Sequence, residues 1–208
     1  HLFDRDFIKD RLKIKDWKHE KGSITMLEDL IKENDINLDS IGLNSDDVEF
    51  IGALIEGDRD FSTKSARKIP KYLFDIVNNK RNSVDVDKFD YFTRDCYYSG
   101  TKRQFDFSRL MRLSRVMNDE IVYYYKEYYH IYELFHTRYS LHKTVYKHRV
   151  VRAIDHMMCD VLDDAKKYLA KKFGFEDFKD AISKGEKYIR LSDSIFHEIE
   201  YSQAKVLE

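Results

Sequence analysis

The chain contains little proline, glycine or cysteine, and each shortage narrows the class of protein to which it can belong. Its 208 residues include one proline, seven glycines and two cysteines. Sandwiches and barrels need many turns, which proline and glycine usually supply, so this composition predicts an all-α fold. Two cysteines are too few for a disulfide framework, which favours a reducing compartment. We therefore expect an intracellular protein, nuclear or cytoplasmic.

Long apolar runs and an excess of one charge are missing as well. No stretch approaches the ~20 apolar residues of a membrane span, so we expect no membrane partner. The net charge of -1 gives no overall positive field for nucleic acid, so any polyanion site must be a local patch. Because the chain begins with His1 rather than Met, we interpret residues 1–208 as the C-terminal, larger part of one domain that is truncated at both ends.

Apolar periodicity predicts most of the chain as helix. The predicted helices cover 23–34 (capped by Ser23), 45–56, 72–78, 85–95, 107–117, 127–173, 176–183 and 192–204. Residues 119–126 combine isoleucine, valine and three tyrosines, which favours a short strand. The pattern over 127–173 contains no proline or glycine, and its length predicts a bend.

Residues 85–95 (DVDKFDYFTRD) form the most informative stretch of the sequence. On a helix, Asp87, Tyr91 and Asp95 are spaced i, i+4, i+8 and share one face, with Lys88 at its edge. A carboxylate can hold a metal, an ammonium can hold a phosphate, and a Tyr–Asp pair can hold hydroxyls. This set therefore suits a phosphorylated sugar. The alternative is a solvated face with i,i+4 charge pairs.

A second set of polar residues lies in the predicted helix 127–173. Arg138, His142, Tyr146 and Arg149 are spaced i, i+4, i+8, i+11 along one side. Arg138 offers a fork of donors for phosphate oxygens, and His142 can exchange a proton near neutral pH. Such a row could close a pocket opposite the first motif. The alternative is again a solvated helix face.

Two further features leave their interpretation open. His1, Asp4 and His19 bring two imidazoles and a carboxylate close to the start of the chain, but their separation does not match a compact zinc motif. Eight tyrosines lie between residues 123 and 146, near the basic segment 107–117. They could stack the bases of single-stranded nucleic acid, although tyrosines more often form a half-buried packing surface.

Four stretches together resemble one family. HLFDRDF, WKHEKGS, NNKRNSVDVDKFDYFTRDC and FHTRYSLHKTVYKHRV resemble the SAM-and-HD-domain deoxynucleoside triphosphate triphosphohydrolases, almost continuously to about residue 200. The resemblance implies an all-α HD domain that hydrolyses a dNTP to the deoxynucleoside and inorganic triphosphate. It implies a divalent or transition metal (iron, manganese or zinc), with magnesium carried on the nucleotide. It also implies GTP or dNTP activators bound between the subunits of a dimer or tetramer.

The resemblance assigns roles to residues of both motifs. It implies Asp87 as a metal ligand and a substrate pocket formed by Lys88, Tyr91, Asp95, Arg138, His142, Tyr146 and Lys147. Within that pocket, Lys88 and Arg138 resemble the phosphate-holding pair. Asp95 resembles the residue that reaches the 3′-hydroxyl, and the ring of Tyr146 the one that crowds the 2′ position. Lys147 stands near the base, where the family has a glutamine.

The resemblance extends to a catalytic group and, less completely, to an allosteric nucleotide site. His1, Asp4 and His19 resemble the group beside the scissile phosphate, one of which would be the general acid. The allosteric positions match at Arg109, Lys126, His148 and Arg149, while Tyr124 stands where an arginine is expected. The His-Asp pair that names the domain is not in the chain. A non-catalytic HD-fold protein that binds nucleotides or acts as a scaffold is therefore the alternative.

Overall fold

A computed structural model describes residues 2–62, 68–101 and 106–202 of the chain. The chain divides into two compact units. We call residues 42–151 the central unit, and residues 2–41 with 152–202 the terminal unit. The described residues are mainly helical, with a single two-stranded sheet, which confirms the predicted fold class. Within the described ranges, no helix combines the length and the apolar character that crossing a membrane would require.

The terminal unit is built from helices that follow the two ends of the chain. Its elements are a π-helical segment Leu2–Arg11, α1 (His19–Glu33), a 3-10 turn Leu38–Ile41, most of α7 (Arg149–Phe173), α8 (Phe178–Ser183), α9 (Gly185–Tyr188) and α10 (Ile195–Glu200). The sequence analysis did not predict the first segment. It also placed the start of α1 four residues too late, because the Ser23 hydroxyl donates to the His19 carbonyl at 3.0 Å instead of capping the helix.

The segment Leu2–Arg11 is held in place because it supplies part of the terminal unit's core. Phe7 and Ile8 are fully buried, and the Phe7 ring meets the Phe178 ring edge-on at 4.8 Å. Asp6 is also buried, and its carboxylate accepts two hydrogen bonds from Arg152 at 2.6 and 3.0 Å. Packing and this ion pair between distant residues therefore fix a segment whose local pattern is mixed and charged.

The central unit contains the sheet and the helices of both sequence motifs. Its elements are α2 (Ser45–Glu56), a 3-10 turn Lys71–Leu73 leading into α3 (Phe74–Val77), α4 (Val86–Tyr98), α5 (Phe107–Arg112), β1 (Ser114–Met117), β2 (Glu120–Tyr123), a 3-10 turn Tyr125–Glu127, α6 (Tyr128–Leu141) and a π-helical turn His142–Tyr146. Helix α2 has the predicted bounds. The core cluster of the central unit includes the buried residues Val84, Phe92, Leu110, Leu134 and Leu141.

Only the first half of the predicted helix 107–117 is helical. It ends at Arg112, and the residues that follow form β1, which pairs antiparallel with β2. Met117 lies opposite Glu120, so the hairpin turn is Asn118–Asp119, and both residues have positive φ (52° and 60°). Two left-handed residues match the right-handed twist of paired strands, as in a type I′ turn. The strand predicted within 119–126 is confirmed as β2.

The predicted helix 127–173 is interrupted, not merely bent. Helix α6 ends at Leu141, the π-helical turn follows, and α7 begins at Arg149. A π-helical turn has a wider spacing than an α-helix, so side chains on either side of it lose the i, i+4 alignment. The expectation that Arg138 and Arg149 lie in one continuous row was therefore wrong.

Candidate functional site

The start of α4 is organised by Asp85, which the sequence analysis did not single out. Asp85 caps the helix: one carboxylate oxygen accepts from the Lys88 backbone N–H at 3.2 Å, and the other accepts from the Asn79 N–H at 3.0 Å. The Lys88 ammonium lies 3.1 Å from both oxygens. The side chains of Asp85 and Lys88 are 2% and 12% exposed. The lysine expected to hold phosphate is thus already paired with a buried carboxylate.

A short hydrogen bond joins the two sequence motifs. The Tyr146 hydroxyl, at the end of the π-helical turn, donates to Asp95 Oδ2 at 2.5 Å, and Arg94 Nε approaches Oδ1 at 3.3 Å. Burial raises the pKa of Tyr146, and the hydrogen bond to the Asp95 carboxylate raises it further. The hydroxyl therefore stays protonated and remains a donor. The His142 ring meets the Tyr146 ring edge-on at 5.1 Å, and Lys147 follows as an exposed residue.

Tyr91 lies close to charged residues of both sequence motifs. The Arg138 guanidinium lies against the Tyr91 hydroxyl. Burial raises the pKa of Tyr91, while the Arg138 charge opposes that rise and the Asp87 charge adds to it. Asp87 and Arg138 are both exposed, and both act on the same hydroxyl. Both charged groups therefore lie close enough to Tyr91 to act on its hydroxyl.

The described residues do not form a metal site by themselves. Across 2–62, 68–101 and 106–202, no three His, Cys, Asp or Glu side chains come together as a ligand set. Asp87 contributes one exposed carboxylate, whereas protein metal sites usually need at least three protein ligands. The described part of the chain therefore does not by itself supply a complete set of metal ligands.

In the terminal unit the structure pairs two of the three residues expected to be catalytic. Asp4 Oδ2 lies 2.9 Å from His19 Nδ1, and Asp4 Oδ1 lies 2.9 Å from the Lys9 ammonium. Burial alone would raise the pKa of Asp4, but the hydrogen bonds from His19 and Lys9 outweigh it and hold that pKa below its ordinary value. A carboxylate on Nδ1 leaves Nε2 of the ring for proton exchange. The third residue, His1, lies outside the described residues.

The four positions expected at an allosteric site are all in the central unit. Arg109 makes a forked ion pair with Glu127, with distances of 2.8 to 3.1 Å. Glu127 is fully buried, and the sequence analysis did not identify it. The Lys126 ammonium lies about 6 Å from two neighbouring tyrosine rings. His148 and Arg149 are exposed at the start of α7. Arg109 is therefore engaged by an internal carboxylate.

Comparison with known proteins identifies relatives of this chain. No family model matches the chain. The chain is 45% identical over 194 residues to a deoxynucleoside triphosphate triphosphohydrolase SAMHD1 homolog of Dictyostelium discoideum, covering 93% of this chain and 34% of that protein. It is 38% identical over 223 residues to the Homo sapiens deoxynucleoside triphosphate triphosphohydrolase SAMHD1 (97% and 35%), and 34% identical over 233 residues to the Mus musculus protein of that name (97% and 35%). The chain spans about a third of the length of these relatives. Over that third of their length, the chain is homologous to the SAM-and-HD-domain deoxynucleoside triphosphate triphosphohydrolases.

Proposed function

We propose that the protein containing this chain hydrolyses deoxynucleoside triphosphates to the deoxynucleoside and inorganic triphosphate. In this reaction water adds to the α-phosphorus, the bond from phosphorus to O5′ breaks, and O5′ takes up a proton. The names of its relatives support the reaction class. The arrangement of the central unit supports the substrate class, as the following paragraphs argue.

The hydrogen bond between Tyr146 and Asp95 carries the proposal. It orients a carboxylate oxygen that can accept from a sugar 3′-hydroxyl, because the other oxygen is held by the Tyr146 hydroxyl. The Tyr146 ring, braced edge-on by His142, would then stand beside C2′ and exclude a ribose 2′-hydroxyl. His142 would line the same pocket, and Lys147 would lie near the base. The pair thus supports recognition of a deoxyribose.

Lys88 and Arg138 are the residues we propose for the phosphates. Arg138 presents a planar fork that matches phosphate oxygens, and Tyr91 interacts electrostatically with both Arg138 and Tyr146. HD-domain hydrolases use a divalent metal ion, and iron, manganese or zinc, with magnesium on the nucleotide, would suit this chemistry. Asp87 is one carboxylate that such an ion would use.

A proton for the leaving O5′ would come from the group near the start of the chain. We propose His19, oriented by Asp4 on its Nδ1, as a general acid, with His1 as the other candidate. A lowered pKa keeps Asp4 ionised, so its carboxylate remains a hydrogen-bond acceptor for Nδ1 of His19 and can orient the ring.

We also propose that nucleotides regulate the protein, which would act as a nuclear or cytoplasmic dimer or tetramer. Arg109, Lys126, His148 and Arg149 supply basic groups that could hold an activating GTP or dNTP. The ion pair between Arg109 and Glu127 would have to open for Arg109 to bind a phosphate. GTP-dependent activation that is unaffected by Arg109→Ala would exclude Arg109 from such a site.

The test is direct assay of the full-length protein. It is incubated with dGTP or dTTP, with Mn²⁺ or Mg²⁺ and with GTP, and release of inorganic triphosphate is measured. We expect triphosphate and deoxynucleoside in equal amounts. Release under no combination of metal and activator would contradict the proposal. If nucleotide binding persisted in that case, the non-catalytic, nucleotide-binding alternative would be supported.

A further inference from the structure

We propose that Asp85 is a positioning residue that holds the Lys88 ammonium where a substrate phosphate can reach it. This inference rests on the proposed function of Lys88. The carboxylate of Asp85 accepts from two backbone N–H groups and contacts the ammonium of Lys88 with both oxygens at 3.1 Å. A group that is only 2% exposed thus fixes the position of a flexible cation on the face that carries Asp87 and Tyr91.

The contact with the ammonium goes beyond what a helix cap requires. A capping side chain needs to accept from one backbone N–H in the first turn. Asp177 does this at the start of α8, where its side chain accepts from the Asp180 N–H at 2.8 Å. In α4 the equivalent third position is Lys88, so Asp85 binds both the backbone N–H and the ammonium of the same residue.

Holding the ammonium matters because a lysine side chain is long and strongly hydrated. The ammonium has three N–H donors and, among the described residues, contacts only the two oxygens of Asp85, so at least one donor can serve a phosphate oxygen. Without Asp85, a largely buried ammonium would have no compensating charge and would turn toward water. Loss of the carboxylate also removes a repulsion against phosphate. We infer that the loss of position dominates, because Lys88 is only 12% exposed.

A double-mutant cycle on the full-length protein tests this role. Asp85→Asn should raise KM for dGTP about tenfold, equivalent to about 1.4 kcal/mol, with kcat little changed. Lys88→Met should raise KM at least as much. In the Lys88→Met background, Asp85→Asn should have almost no further effect, because its influence passes through the ammonium. Asp85→Ser, which keeps a capping hydroxyl but no charge, serves if the Asn variant does not fold. Asp177→Asn is the matched control for a helix-capping aspartate and should leave KM unchanged.

Calorimetric binding of inorganic triphosphate is measured on the same variants and does not depend on turnover. A wild-type protein that binds triphosphate but hydrolyses no dNTP would contradict the proposed function while still allowing the cycle to be read. Additive effects of the two substitutions would mean that Asp85 is a cap only. A KM or triphosphate Kd that is unchanged or lower in Asp85→Asn and Asp85→Ser would overturn the inference.

Discussion

Replacing Tyr146 with phenylalanine tests the proposed deoxyribose pocket most sharply. The substitution removes the hydroxyl that donates to Asp95 at 2.5 Å and keeps the ring that meets His142 edge-on. It therefore separates two proposed functions of one side chain. The hydroxyl would orient the carboxylate for the 3′-hydroxyl, and the ring would exclude a 2′-hydroxyl.

The size of the effect follows from the kind of hydrogen bond that is lost. A hydrogen bond to a charged group contributes about 1.5–3 kcal/mol, so kcat/KM for a dNTP should fall about 10- to 100-fold. Global stability should change less, because the Asp95 side chain is 28% exposed and water can replace the lost donor. Preference for dNTP over rNTP should be kept in Tyr146→Phe and lost in Tyr146→Ala.

The assay is release of deoxyguanosine and of guanosine from dGTP and GTP as competing substrates. Tyr139→Phe is the matched control, since Tyr139 lies on α6 of the same unit with a side chain that is 60% exposed. Wild-type kcat/KM in Tyr146→Phe would refute the idea that the hydroxyl orients Asp95. An equal loss in Tyr139→Phe would show that removing any tyrosine hydroxyl here is harmful. Unchanged sugar preference in Tyr146→Ala would show that the ring does not exclude ribose.

Three further predictions concern stability. The Asp75 side chain is fully buried against two arginines, so Asp75→Ala should lower the free energy of unfolding by about 3–5 kcal/mol and Tm by about 6–20 °C. Asp90 forms an exposed ion pair, so Asp90→Ala should lower the free energy of unfolding by less than about 1 kcal/mol. Equal losses by calorimetry would contradict this. Gly57→Ala should lower Tm more than Gly42→Ala, because both residues have positive φ but only at Gly57 would a Cβ come within 2.5 Å of a backbone carbonyl oxygen; similar Tm values would show that the backbone shifts freely. Asp4 has a lowered pKa, so its ionised form stabilises the native state at neutral pH and this contribution is lost below about pH 4. Urea midpoints of wild type and Asp4→Asn should therefore converge in acid, and a constant difference would exclude this linkage.

Sequence reasoning located the elements whose signals are local. Helix α2 has its predicted bounds, because Asn44 and Asp47 form a reciprocal cap at its start. Helix α4 follows Asp85 as a capping residue. The strand β1 was missed since a basic segment with helical spacing continues into it, although Asn118–Asp119 between two short apolar runs is itself a hairpin signal. The segment Leu2–Arg11 carries no such signal, because distant packing partners determine its structure.

The site was predictable to the extent that spacing on one helix determines it. Asp87, Tyr91 and Asp95 lie on α4 as expected, and chain folding brings Tyr146 to Asp95 across 51 residues of sequence. The pairing of Lys88 with Asp85 was not predicted, because spacing alone does not show whether a capping aspartate also binds a side chain.

The charges of the proposed pocket residues indicate that sugar recognition and phosphate binding depend on different side chains. In the central-unit set, three carboxylates (Asp85, Asp87 and Asp95) accompany three cations (Lys88, Arg138 and Lys147). Since Asp85 already pairs with Lys88, this set offers little net positive charge to a polyanion. Recognition of a sugar by oriented hydrogen bonds needs no such excess. We therefore infer that Tyr146 and Asp95 orient the nucleoside end of the substrate, and that Lys88 and Arg138 bind the phosphates together with additional cations. Sugar specificity and triphosphate affinity should then respond to different substitutions, the first at Tyr146 and the second at Lys88 and Arg138.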